Sequence, residues 1–105
     1  MQTYKVVLSD LAKADLRNIV THITTIESKE RAKYVERSIL SEMKRLERFP
    51  TAYPKDGLAS TNAQEICFIM KWRYKILYFV KANTVQVVGI FHTAQNPDKL
   101  TYYNL

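Results

Sequence analysis

Two cations stand among aliphatic and aromatic residues in Arg73-Tyr74-Lys75-Ile76-Leu77-Tyr78-Phe79-Val80, the longest strand-favouring run of the chain. With side chains alternating along a strand, Tyr74, Ile76, Tyr78 and Val80 point one way and Arg73, Lys75, Leu77 and Phe79 the other. Neither set is purely polar. The pattern predicts a central strand covered on both faces, with cations that reach something other than bulk water. Lys75 either snorkels out of a core strand or belongs to a site.

The other reactive side chains are poorly placed for chemistry. Cys67 lies in an apolar run, where a thiol is ordinarily inert. His22 and His92 have no metal-ligand spacing to each other or to Cys67, so no metal site is expected. No glycine loop of the kind that cradles phosphate is present, and no cofactor is expected. Lys33, Arg37, Lys44 and Arg48 recur at helical spacing. Like charges four residues apart repel slightly, so that stripe is either a docking face for an acidic partner or a solvated helix face.

A length of 105 residues suits one domain with a single core between two layers. The net charge of +6 favours an acidic partner, whether nucleic acid, ribosome or protein. A lone cysteine rules out an internal disulfide and fits a reducing cytosol. The start of the chain lacks the apolar segment of a signal peptide, and no run approaches membrane-spanning length. A cytoplasmic location is therefore expected.

The elements that must position these residues read clearly. Thr3–Leu8 alternates as a first strand. Ser9 caps a helix with Asp10 in its first turn and a stripe of Ala12, Leu16, Ile19, Val20 and Ile23. Ser28 caps a second helix with a stripe of Ala32, Val35, Ile39, Met43 and Leu46, which Phe49-Pro50 should stop. The stretch 51–64 is rich in turn formers and too long for a simple connector, so it is either mobile or part of a binding surface. Strands over 65–70, 73–80 and 84–91 follow as a meander, with Asn83 supplying the last turn. The order is β-α-α-β-β-β. We expect one α+β domain over 1–105, an antiparallel sheet with a helical hairpin packed on one face.

Three segments carry a family likeness. They are the opening strand and helix from Val7-Leu8-Ser9-Asp10 to Asn18-Ile19, the helix end Leu46-Glu47-Arg48-Phe49-Pro50, and Tyr74-Lys75-Ile76-Leu77-Tyr78 followed by Val85-Gln86-Val87-Val88-Gly89-Ile90-Phe91-His92. In this order and spacing the chain resembles the RelE/ParE superfamily of toxins from type II toxin–antitoxin systems, including plasmid stabilisation proteins. The resemblance implies a cytoplasmic toxin neutralised by a cognate antitoxin protein. RelE-like members cleave mRNA on the ribosome, whereas ParE-like members poison DNA gyrase without being nucleases.

Ribonuclease action needs an acid, a base and cations for the phosphate. RelE-like sites supply these with second-strand lysines, a third-strand arginine, and an arginine and a tyrosine near the C-terminus. Here Lys75 stands for the arginine without its bidentate fork. The lysine positions fall on Ile66 and Phe68, unless a register shift brings in Lys71 or Glu65. The late cation position falls near Ala94, although His92 with Tyr102 or Tyr103 imitates the His/Tyr pair of some relatives. The resemblance thus points to the ParE-like, non-nuclease branch, with DNA gyrase as target. Lys75, Arg73, Trp72, Tyr78 and His92 would contact target or antitoxin. The alternative is an mRNA endonuclease with Lys71, Arg73, Lys75 and His92 as catalytic residues.

Overall fold

Ser9 and Ser28 both hold extended backbone and accept an amide hydrogen bond on the side-chain oxygen, from Ala12 and Arg31, each at 3.0 Å. These are the two N-caps expected from sequence. In the computed structural model, which describes residues 3–61 and 63–94, they start α1 (Asp10–Ile26) and α2 (Lys29–Arg45). Between β1 (Lys5–Leu8) and the meander β2 (Cys67–Lys71), β3 (Tyr74–Lys81) and β4 (Thr84–His92), the two helices form the expected hairpin over one face of the sheet. α2 ends earlier than Phe49-Pro50 suggests. Its last turn tightens, with the amides of Leu46 and Glu47 donating to Met43 and Lys44, and this carries Leu46 into the core.

The sheet order is β1-β4-β3-β2. The meander strands are antiparallel, but β1 pairs parallel to β4, with Lys5 opposite Thr84 and Leu8 opposite Val87. The sheet is therefore mixed, which corrects the fully antiparallel expectation. Residue alternation reports which faces a strand buries; it is silent on strand direction and partner.

Both helix stripes land as expected. Ala12, Ile23, Ala32, Val35, Ile39, Met43 and Leu46 are buried against Ile69, Ile76, Tyr78, Val85, Val87 and Ile90, with Leu16, Ile19 and Val20 packed beside them. Burying a side chain such as Ile39 or Leu46 stabilises the fold by about 1.5–3 kcal/mol. The opposite face of the sheet carries a smaller cluster of Leu77, Phe91, Ile66 and Ala59. The stretch 51–64 supplies Ala59 and is tied down along the β2 edge. The Asp56 amide donates to Ile66 O at 2.7 Å, and the Phe68 amide donates to Pro54 O at 3.0 Å.

One irregularity decides the geometry of the site. Tyr78 pairs with Val87 but Leu77 pairs with Gly89, so Val88 is an extra residue in β4. An inserted residue flips the facing of everything beyond it. Ile90 and His92 thereby join Val85 and Val87 on the helical face, and Phe91 goes to the other. Ser9 braces the bulge, its hydroxyl donating to Val88 O at 3.0 Å and its amide to Val87 O at 2.9 Å.

Candidate functional site

Where β1 gives way to α1, the last residues of β4 keep β3 on one side but have no strand on the other, and a groove of about 820 Å³ opens between the helical hairpin and the end of the sheet. Its apolar floor is built by Ile19, Ile23, Val35 and Ile90, with Ile26 at the rim. Asp15 on α1 reaches across and accepts the Ile90 amide at 2.9 Å, so a side chain satisfies a sheet donor that has no strand partner there. Arg31, Trp72, Arg73, Tyr74 and His92 line the end nearest the β2–β3 turn.

Trp72-Arg73 is a two-residue turn, and Trp72 has φ of 53°. Hairpin turns with a positive φ at the first central residue ordinarily place glycine there. A tryptophan in that position costs on the order of 1–2 kcal/mol and must be held by its surroundings. Its ring stacks at a tilt on Tyr34 of α2, with centroids 5.8 Å apart. The Lys71 ammonium lies 4.8 Å from the same ring and the Arg31 guanidinium 6.0 Å. Even so, Trp72 and Tyr34 are 46% and 54% exposed. The β3–β4 turn repeats the backbone pattern, with the positive φ at Ala82 and not at Asn83.

Arg73 lies in the turn, so it does not share the facing of Lys75. Its carbonyl accepts the Thr93 amide at 2.8 Å, which ties the turn to the end of β4, and its side chain lines the groove with His92 and Tyr74. Tyr74 and His92 are cross-strand partners packed edge to face, centroids 5.0 Å apart. His92 Nδ1 accepts the Ala94 amide at 3.0 Å, leaving Nε2 to carry the proton of the neutral ring. Burial pushes the Tyr74 phenol up, Glu27 adds to the rise, and Arg31 opposes it.

Lys75 lies across the sheet from this groove. Its ammonium sits 4.6 Å from the Phe68 ring and donates to Asp56 Oδ2 at 2.7 Å. Asp56 is buried, and its other oxygen accepts the amides of Leu58 and Ala59, both at 3.0 Å. Burial alone would raise the Asp56 pKa; Lys75 and the two amides more than offset it and hold the carboxyl below its usual value. Lys71 points toward α2, 3.9 Å from Glu42. Tyr78 is fully buried, its hydroxyl donating to Pro50 O, and burial holds its phenol far above the ordinary range. Of the sequence candidates, the structure gathers Trp72, Arg73 and His92 at one groove, with Lys71 at its margin. It does not bring Lys75 or Tyr78 there. Tyr102 and Tyr103 lie outside the described residues.

Four residues of this arrangement were not singled out from sequence: Asp56, Arg31, Tyr34 and Asp15. Asp56 reads locally as a turn former, and nothing near it in the chain announces a lysine 19 residues away. The i,i+3 pair Arg31 and Tyr34 lies on one side of α2 and was the available signal. Among the described residues, no group of three or more His, Cys, Asp or Glu side chains is placed to hold a metal ion. Nor is any helix long and apolar enough to cross a membrane.

Residues 6–97 match the family model described as ParE toxin of type II toxin–antitoxin system, parDE. The chain belongs to the ParE toxin family. No curated protein matches it. Among solved structures, a chain of the chromosomal ParDE toxin–antitoxin system from P. aeruginosa is similar at 18% identity, covering 86% of this chain and 96% of that one with a TM-score of 0.70. A chain of the RelBE2 toxin–antitoxin complex from Mycobacterium tuberculosis is similar at 17% identity, covering 90% and 97% with a TM-score of 0.65. These two share the mixed-sheet fold of this ParE-family chain. Of the two positions onto which the resemblance places second-strand lysines, Ile66 lies just before β2 and is buried in the small cluster, and Phe68 packs against that cluster and under Lys75.

Proposed function

We propose that this chain is a single-domain, cytoplasmic ParE-type toxin that arrests growth by binding a large target, DNA gyrase, and that a cognate antitoxin protein holds it inactive. The supporting observation is the separation of its cations. An RNA-cleaving site needs a proton acceptor, a proton donor and phosphate-binding cations converging within hydrogen-bonding reach. Here the Lys75 ammonium is engaged by buried Asp56 on one face, and Arg73 and His92 stand on the other. The arrangement suits recognition better than proton transfer, and membership of the ParE family supports the gyrase target.

Purified protein should inhibit gyrase supercoiling at stoichiometric levels. Unchanged gyrase activity together with mRNA cut in the ribosomal A site would overturn this reading. A short acidic reading frame beside this one should encode the antitoxin, and co-expression should restore growth. The second reading, a RelE-like mRNA endonuclease, draws on Arg73 and His92 sharing a groove with Tyr74. It requires His92→Ala to abolish cleavage while leaving the melting curve unchanged.

A further inference from the structure

We propose that residues 54–60 form a latch, closed by Asp56 over the face of the sheet opposite the helices, which opens as a unit while the hairpin and sheet stay folded. Ordering a segment costs conformational entropy at every residue, and burial must offset it. This segment buries little. Ala59 is its one buried apolar side chain, whereas Pro54, Lys55, Gly57 and Leu58 are exposed. A Cβ placed on Gly57 would meet nothing within 4 Å, so no side chain packs over that turn from outside. The Lys55–Glu65 ion pair lies in solvent, 60% and 69% exposed, and contributes little. What the segment covers is larger than what it brings. Ala59 shares a cluster with Leu77 and Phe91, both almost inaccessible, and Phe68 packs against it. Burying one methyl group stabilises the closed state far less than burying side chains of that size would.

The hold is therefore polar, and it converges on one carboxylate. Asp56 is the one buried charged or polar side chain among the described residues. It accepts Lys75 on one oxygen at 2.7 Å and the amides of Leu58 and Ala59 on the other. The Asp56 amide to Ile66 O and the Phe68 amide to Pro54 O also tie the segment down. So does the Ser60 hydroxyl, which accepts the Ile66 amide at 2.9 Å and donates to Ile66 O at 3.2 Å. Each of these groups meets water once the segment lifts, so opening leaves none of them buried without a partner. The Lys75 side chain is already 23% exposed in the closed state.

Opening anywhere else is costlier. Parting the hairpin from the sheet would expose the main core of Ile39, Leu46, Ile76, Tyr78 and Val87. Local opening follows the route that exposes least apolar surface, and that route runs through the latch. The open chain shows Lys75 beside Phe68, Phe91 and Leu77, a face that the closed chain withholds.

Hydrogen exchange of the intact chain, followed amide by amide by NMR in increasing urea, tests the latch. After correction for intrinsic rates, we expect the Leu58, Ala59 and Phe68 amides to exchange at least about tenfold faster than the amides pairing β3 with β4, and with a weaker urea dependence. Ile39→Val lies in the main core, away from the latch. It should speed the β3–β4 amides at least about threefold and leave the latch amides within about twofold of the parent. Asp56→Asn should speed the latch amides at least about tenfold further, in a chain whose β3–β4 amides stay protected. Equal rates and equal urea dependence in the parent would overturn the proposal, because the segment would then open only when the whole chain unfolds. Latch amides that speed up together with the ladder in Ile39→Val would overturn it too. The same holds for an Asp56→Asn chain that leaves the latch amides unchanged or loses its β3–β4 protection.

Discussion

Arg73 and Lys75 carry the same charge two residues apart, and the fold gives them opposite surroundings. Lys75 is turned to the face of the sheet covered by the 51–64 stretch, where Asp56 takes its charge and Phe68 lies against it. Arg73 stands in an exposed turn beside a strained tryptophan, at the mouth of an open groove, with no carboxylate partner among the described residues. A partly buried cation paired with a buried carboxylate holds structure together, because removing either partner strands the other. An exposed cation next to an aromatic surface and an apolar floor is available to a partner. Of these two cations, the one better protected from water is the less promising recognition residue.

The comparison breaks most readily at Asp56. Asp56→Ala leaves Lys75 without its counter-charge and leaves the amides of Leu58 and Ala59 without acceptors. Removing one partner of a buried pair should destabilise the chain by about 3 kcal/mol, read from the midpoint of urea unfolding. Near-normal stability would show that Lys75 does not depend on this contact, and would return it to the list of recognition residues. Tyr78→Phe sharpens the same side. It removes the hydroxyl that donates to Pro50 O and should cost about 1–2 kcal/mol without weakening partner binding.

The pH dependence is smaller and has a definite sign. The Asp56 carboxyl is held below its usual value in the folded chain, so the unfolded chain binds more protons between the two pKa values. Its contribution is complete above the ordinary carboxylate range, about pH 4, and is lost as pH falls through that value toward the folded one. Asp56→Asn should flatten the stability profile below about pH 4 relative to the parent chain. A parallel profile in the two proteins would exclude Asp56 as the source.

How much of this was legible in the sequence follows from what each feature depends on. The caps at Ser9 and Ser28 and the two helix stripes rest on residues within one turn of each other, and they landed as expected. The direction of β1, the Lys75–Asp56 pair and the bracing of Ser9 against Val88 depend on partners brought together only by tertiary structure, and local pattern carries no trace of them. The bulge at Val88 had the largest effect on the site. Uninterrupted alternation from Val85 would put Gly89 and Phe91, not Ile90 and His92, toward the helices. Arg73 shows the same limit on a smaller scale, because assigning it to the strand gave it the facing of Lys75, and the turn took it elsewhere.

The smallest effect expected on stability is the one that bears most on the β2–β3 turn. Trp72→Gly removes the strain of left-handed backbone, which by itself favours the variant by about 1 kcal/mol. It also removes the stacking on Tyr34 and the two cation contacts, worth about the same in the opposite direction at an exposed site. The terms nearly cancel, so the unfolding midpoint should move by less than about 1 kcal/mol in either direction. Partner binding, followed by calorimetry, should nevertheless fall at least about tenfold. A loss of binding with stability unchanged means that the tryptophan is kept at a glycine position for the contact it makes. A variant that unfolds readily means that Trp72 is a structural strut, and the contrast between the turn and the buried pair disappears.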